Sequence, residues 1–437
     1  MNTDLLKNVI FDQHETIRNA AITERDYSFE PNANYVLTGL RRAGKSTLLY
    51  KMARDIAQSG ISWERIIYIN FEDERLSGMA SADLNSIVKA QAELSTQKGY
   101  YFFDEIQNIP GWENFARRMA DSKEYVQITG SNAKMLSGEI ETVLGGRYLS
   151  KHIMPYSFAE YLRASGIEEF SSSKNNGQNI KNALMNTKKS GRIMGIFAGY
   201  FKYGGFPQSL EFKDKREYVS SVYQKVLLGD IAGRNGIRNY SALMLLMKKI
   251  AESTKDEMSY SKMHNVLSGI GTGISKSTVI DYLRYAQEAY IIFAVRNYYA
   301  KFSERESVCK YYFSDNGLLN LFLNGRETLL LENLAAISLY RKYGRDFYYI
   351  KSSKTGLDID FYIPGSGTLV QAAYSLDNIS SERELKSLAK AAKAMPEAKN
   401  FIIITYYEEK TIYYGGIEIK AMPIWKMLAG AYTGIGS

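Results

Sequence analysis

Apolar residues along the first third of the chain fall in short continuous runs separated by amphipathic stretches. Tyr35–Thr38, Ile66–Ile69, Tyr100–Phe103 and Tyr125–Thr129 each read as a strand buried on both faces, because a half-exposed strand would alternate with a period of two. Thr47–Ala57, after the first run, continues as a helix. Strands alternating with helices predict a parallel sheet covered on both sides, a three-layer α/β domain. From about Ser157 to Ile231 the pattern turns helical, with Ser171–Asn179 polar and exposed. Met258–Phe293 predicts two helices around the glycine-rich turn Ser268–Gly273, the second opening at Ser275 as its N-cap. Beyond Tyr311 the pattern is mixed again. It predicts a helix over Leu330–Tyr340, strands at Phe347–Ile350, Ile359–Ile363 and Thr368–Ala373, a helix over Glu382–Ala394 and a strand at Phe401–Thr405.

At 437 residues such a chain divides into two to four domains. Its hydrophobic and charged fractions, 45% and 23%, are those of ordinary globular proteins. No run reaches the roughly 20 apolar residues that a membrane helix needs. Met1–Phe11 lacks the apolar run and cleavage site of a secretory signal. A cytoplasmic protein without a membrane partner is therefore expected. One cysteine excludes an internal disulfide framework, and three histidines argue against a Cys/His zinc site. The net charge of +8 suits a polyanionic partner, nucleotide or nucleic acid, and equally a solvating surface.

Chemistry enters with Gly39, Leu40, Arg41, Arg42, Ala43, Gly44, Lys45, Ser46 and Thr47, which fit G-x-x-x-x-G-K-[ST]. Glycines let the backbone curl so that successive N–H groups converge on phosphate oxygens, at the positive end of the helix that follows. In that geometry Lys45 bridges β- and γ-phosphates and the Ser46 hydroxyl ligates Mg²⁺, making ATP the expected ligand. Asp104 and Glu105 follow the Tyr100–Phe103 run. They stand at the carboxyl end of a strand, where ligands bind in such sheets. Asp104 is the expected holder of the Mg²⁺ shell and Glu105 the group that polarises attacking water. Thr129-Gly130-Ser131-Asn132 closes the fourth strand and puts polar groups, Ser131 and Asn132 among them, near the γ-phosphate or the water. Arg147 is a candidate phosphate contact in cis or an arginine finger in trans; a surface ion pair is the plainer alternative.

These residues resemble a large family of bacterial and archaeal ATPases of the AAA+ superfamily. The matching stretches are Leu37–Thr47, Phe103–Gln107, Ile128–Ala133, Leu144–Arg147 and Pro155–Tyr161, with Leu40 standing where the family usually has proline. Tyr203–Pro207, Tyr312–Leu318 and Leu331–Asn333 match further landmarks. The resemblance implies a P-loop NTPase core of five parallel strands over residues 1–165 and a helical lid over 166–235. A winged-helix module over 236–305 and a restriction-endonuclease-like α/β domain over 306–437 would follow. DNA is the partner such a winged helix implies, with Lys276, Ser277 and Arg284 facing phosphates or base edges; a packing or protein-contact role is the alternative.

The nuclease-like fold uses a helix glutamate, an aspartate ending one strand and a Glu/Gln-x-Lys on the next. Glu332, Asp360 and Gln371 match it, but Ala373 stands at the lysine position, so nuclease activity is not expected unless Lys351 or Lys354 reaches in. The resemblance thus implies Mg²⁺-dependent ATP hydrolysis that rearranges C-terminal modules. A slow nucleotide-gated switch or adaptor and an ATP-regulated nuclease are the rivals, and a homo-oligomer is implied if Arg147 acts in trans.

Overall fold

The computed structural model describes residues 1–132, 142–171, 177–323, 325–377 and 379–432. Ala133 and part of the expected loop, 172–176, lie outside them. Two compact units form: Met1–Met154 with Glu288–Tyr290, and Pro155–Gln287 with the chain from Ile291 onward. The first boundary, expected at 165, falls ahead of the helix Phe158–Ala164.

The first unit is built on five strands: β1 (Asn34–Thr38), β2 (Ile66–Asn70), β3 (Tyr100–Asp104), β4 (Tyr125–Gly130) and β5 (Tyr148–His152). Their order is β2-β3-β4-β1-β5, and every pair is parallel. Among the described residues, the longer helices beside them are α1 (Thr3–Asn19), α2 (Lys45–Gln58), α3 (Asn85–Leu94) and α4 (Trp112–Asp121). The continuous apolar runs are buried as the sequence requires, and Ile67, Ile69, Phe103, Val126 and Ile128 share one core with Leu6 and Val9 of α1. Because β4 separates β1 from β3, its carboxyl end lies between the loop after β1 and the carboxylates that end β3.

In the second unit, β6 (Met258–Ser259), β7 (Ile292–Arg296) and β8 (Val308–Phe313) form an antiparallel sheet in the order β6-β8-β7. The helices Tyr260–Gly269 and Lys276–Glu288 precede β7. Ser275 Oγ accepts the Thr278 N–H at 3.1 Å, capping the second helix as its sequence predicts. The sheet is completed by β8, beyond the 305 boundary expected for the winged-helix module.

A six-stranded mixed sheet follows, made of β9 (Tyr348–Ser352), β10 (Leu357–Ile363), β11 (Thr368–Ala372), β12 (Asn400–Thr405), β13 (Lys410–Tyr414) and β14 (Ile417–Pro423), ordered β13-β14-β12-β11-β10-β9. The helix Glu327–Tyr343 is buried on all sides from Leu329 to Leu339. That burial explains its lack of an amphipathic signature. Asp360 does not end its strand, as the resemblance implied. It stands within β10 where the register with β9 shifts between Ile359 and Tyr362, a bulge that re-aims side chains.

Two landmarks distant in sequence meet in this unit. Asp315 accepts the Gly205 N–H at 2.7 Å and the Gly317 N–H at 2.8 Å. A Cβ on Gly204 would come 1.7 Å from the Asp315 carboxylate, and one on Gly317 2.3 Å from the Tyr203 carbonyl oxygen. Tyr203–Pro207 and Tyr312–Leu318 are therefore halves of one joint that only glycine backbone lets close.

Candidate functional site

β1 delivers the chain to Gly39, whose φ of 144° few L-residues adopt and whose missing Cβ leaves room for the Ile153 carbonyl oxygen, 2.0 Å from where that Cβ would stand. The loop turns through Arg42 at φ 64° and Gly44 at φ 96°, and α2 starts at Lys45. Leu40 and Ala43 are buried, and the Ala43 N–H donates to the Leu40 carbonyl at 3.2 Å. Arg41 pairs with Glu72 at 2.9 Å. Lys45 is buried; its ammonium donates to the Gly39 and Leu40 carbonyls at 3.0 and 3.2 Å and lies 3.9 Å from Glu105 Oε1.

Asp104 is buried at the end of β3 with donors on both oxygens. Tyr68 donates to Oδ2 at 2.7 Å and Thr129 to Oδ1, and the Ser46 hydroxyl is near enough to favour the charged form of the same carboxylate. Burial first, then the charge of Glu105, raises the Asp104 carboxyl above its ordinary range, while the hydroxyls of Thr129, Tyr68 and Ser46 lower it. Glu105 takes a left-handed φ of 53°, its N–H donates to Thr129 Oγ1 at 3.0 Å, and Gln107 donates to its Oε2. Thr129 thus ties the two carboxylate residues to the end of β4, where Ser131 is buried and Asn132 follows.

Lys45, Ser46, Asp104 and Glu105 lie together beside the loop that follows β1. Arg147 stands apart from them, paired with Asp121 at the end of α4 and bonded to the Leu144 and Gly145 carbonyls. Tyr68 and Arg25 escaped the sequence reading. Arg25 is buried and donates to the Ala43 carbonyl at 3.0 Å and the Met154 carbonyl at 2.7 Å, bracing the loop from behind. No motif marks either residue. The site joins a hydroxyl and a carboxylate, both hard oxygen donors, so the donor set fits Mg²⁺.

A second cluster of charged groups lies in the second unit. Glu332 and Asp360 approach one another through Lys310 of β8, which is buried and stands 3.5 Å from Glu332 Oε1 and 3.4 Å from Asp360 Oδ1. Burial works against the charge on Lys310, but Glu332 and Asp360 outweigh it and hold its pKa above the ordinary lysine value. The two lysines considered from sequence do not reach in: Lys351 is exposed and pairs with Glu257 at 3.3 Å, and Lys354 is exposed in the turn between β9 and β10. Gln371 is spent on β10, accepting the Asp360 N–H at 2.8 Å and donating to the Asp358 carbonyl at 2.9 Å. On the helix Lys276–Glu288, Lys276, Ser277 and Arg284 are exposed, and Arg284 pairs with Asp281 at 2.9 Å. Among the described residues, no helix is long and apolar enough to cross a membrane.

Residues 31–162 match the model of an AAA domain, and residues 194–329 that of a domain of unknown function (DUF8612). The protein MJ1544 of Methanocaldococcus jannaschii is 32% identical over 97% of this chain and 94% of its own length. An uncharacterized protein of Haemophilus influenzae is 28% identical over 89% of this chain and 93% of its own length. Among solved structures, the Walker-type ATPase PABY2304 of Pyrococcus abyssi aligns over 72% of this chain and 94% of its own at 13% identity, with a TM-score of 0.42.

Proposed function

The chain belongs to the family of the Methanocaldococcus jannaschii protein MJ1544 and carries an AAA domain over residues 31–162, and from that premise we propose that it binds ATP with Mg²⁺ on the loop Gly39–Thr47 and hydrolyses it. The observation that carries this reading is the convergence of Lys45, Ser46, Asp104 and Glu105 on one buried point beside a glycine-bounded loop and a helix N-terminus. Lys45 takes the β- and γ-phosphates in place of the loop carbonyls it now binds. Ser46 and Asp104 hold Mg²⁺, which when bound neutralises phosphate charge. Glu105, fixed by Thr129 and Gln107, orients the attacking water. Ser131 and Asn132, directly after β4, serve the γ-phosphate side.

Arg147 acts in trans in this reading: its side chain is partly exposed, and its partner Asp121 is a surface residue that a neighbouring copy's phosphates would displace. The hydrolytic cycle works on DNA through Lys276, Ser277 and Arg284, a reading their exposure on a capped helix supports.

Steady-state turnover of the wild type, Lys45→Ala and Glu105→Gln, with and without single- and double-stranded DNA, tests this. Lys45→Ala loses turnover, Glu105→Gln retains bound ATP without hydrolysing it, and DNA raises the wild-type rate. Equal turnover in Lys45→Ala and wild type overturns the site. Wild-type turnover below about one per minute and indifferent to DNA points to a nucleotide-gated switch, since ordinary enzymes run near 10 per second.

A further inference from the structure

The nuclease-like fold places a divalent cation between a helix glutamate and a strand aspartate, and the residues here do not fit one. Lys310 and Tyr312 leave the same face of β8, two positions apart. The Lys310 ammonium occupies the gap itself, within 3.5 Å of Glu332 Oε1 and 3.4 Å of Asp360 Oδ1. Every carboxylate oxygen has a protein donor or a lysine ammonium beside it. Tyr312 donates to Glu332 Oε1 at 2.8 Å, Lys255 lies 3.6 Å from Glu332 Oε2, and the Ala372 N–H donates to Asp360 Oδ2 at 3.0 Å. The third ligand the fold would offer, Gln371, is committed to the β10 backbone through both ends of its amide. Lys310 and Lys255 face Glu332 and Asp360 directly, while Arg383 pairs with the neighbouring buried Glu384 at 2.7 Å. A magnesium ion needs oxygens at about 2.1 Å in octahedral array, and here it would meet an ammonium already seated between its two carboxylates.

We infer that Lys310 is a built-in cation standing in the place of the divalent metal, so that Glu332 and Asp360 form a closed ion cluster that takes no metal and supports no metal-dependent phosphodiester cleavage. The lysine missing at Ala373 is then not restored from β8 as a catalytic group. A lysine that activates water leaves the carboxylates to a metal beside it, whereas Lys310 consumes them. Such a cluster is tolerated because removing either sign would leave an uncompensated buried charge.

Mn²⁺ binding by the nucleotide-free full-length chain, followed by paramagnetic resonance of the free ion, tests this inference independently of the ATP site. Wild type and Asp360→Asn take up the same amount of Mn²⁺, and Lys310→Ala gains about one further ion per chain. The double variant Lys310→Ala/Glu332→Gln loses that gain. Wild-type binding that falls by one ion in Asp360→Asn overturns the inference, as does a folded Lys310→Ala that gains none. Should Lys310→Ala fail to fold, the comparison of wild type with Asp360→Asn still decides. Cleavage of DNA or RNA by the wild type with Mg²⁺ or Mn²⁺, abolished in Asp360→Asn, also overturns it.

Discussion

The hydroxyl of Tyr290 donates to Thr38 Oγ1 at 2.9 Å, joining positions 252 residues apart. The same ring stacks on His152, with centroids 4.6 Å apart and planes at 24°. Thr38 and His152 are the last residues of β1 and β5, which are adjacent in the sheet, and Gly39 follows Thr38 directly. One side chain from the Glu288–Tyr290 segment therefore covers the strand ends from which the loop Gly39–Thr47 springs. Tyr290→Phe keeps the stacking and removes a hydrogen bond worth about 1 kcal/mol. Affinity for a fluorescent ATP analogue should fall about fivefold in Tyr290→Phe, and further in Tyr290→Ala. Unchanged affinity in both variants would show that Tyr290 does not brace the loop.

Thr129 serves both carboxylate residues, donating to Asp104 and accepting from the Glu105 N–H. Thr129→Val nearly conserves shape but leaves a buried acceptor and a buried donor unpaired, each costing about 1–3 kcal/mol. ATP turnover should drop at least tenfold and the melting temperature should fall, whereas Thr129→Ser retains most of both. Rate assays and thermal unfolding of the three proteins check this directly. A Thr129→Val protein with wild-type turnover would mean that Asp104 and Glu105 are positioned by other contacts.

The loop Gly39–Thr47 and the Asp104–Glu105 pair were legible in the sequence because local rules specify them: glycine at the left-handed turn Gly44, and a four-residue apolar run ending in acid. The strands β1 to β4 were legible for the same reason, being buried on both faces. Thr129 stood in the polar segment that closes β4, but its bonds to Asp104 and Glu105 follow from sheet order; Tyr68 and Tyr290 joined the site through sheet order and a long-range return of the chain, which no local pattern encodes. Lys310 was passed over for the nearer Lys351 because strand proximity in sequence is a poor guide to what a bulge and a neighbouring sheet bring together. The strands β5 and β13 were missed since both are largely exposed, and β6, β7, β8 and β14 were not read as strands either. The helix α1 was missed as well, although its Asn2 cap, with the side chain accepting the Asp4 N–H at 2.9 Å, is a readable signal.

Gly204 and Gly166 have similar φ values, 76° and 72°, but different surroundings. A Cβ at Gly204 would stand 1.7 Å from Asp315 Oδ1, while one at Gly166 meets nothing within 4 Å. Gly166→Ala should cost only the left-handed backbone term of about 1–2 kcal/mol. Gly204→Ala must also displace a buried carboxylate and break its bonds to Gly205 and Gly317, placing it among the most disruptive single changes, at about 4 kcal/mol or more. Thermal unfolding of the two variants against wild type separates the effects. Equal losses would mean that the Gly204–Asp315 joint yields without cost.

Asp315 gives the second unit a pH dependence with a definite sign. Burial raises its carboxyl from 3.8 to about 6, against the N–H groups of Gly205, Gly317 and Leu318, which favour the charged form. Below about pH 4 the folded and unfolded chains both carry the proton, and the group contributes nothing. Between about pH 4 and 6 the unfolded chain releases its proton while the folded chain keeps it, so folding loses stability as pH rises. Above about pH 6 both states are ionised and the loss levels off at about 3 kcal/mol, two pKa units at 1.36 kcal/mol each. Asp315→Asn cannot ionise, so its stability relative to wild type should climb across the same interval, whatever constant cost the amide brings by facing the Gly205 N–H. Chemical denaturation of both proteins at half-unit steps from pH 4 to 7.5 measures that difference. A gap that stays flat across the series would show that Asp315 titrates alike in the folded and unfolded chain.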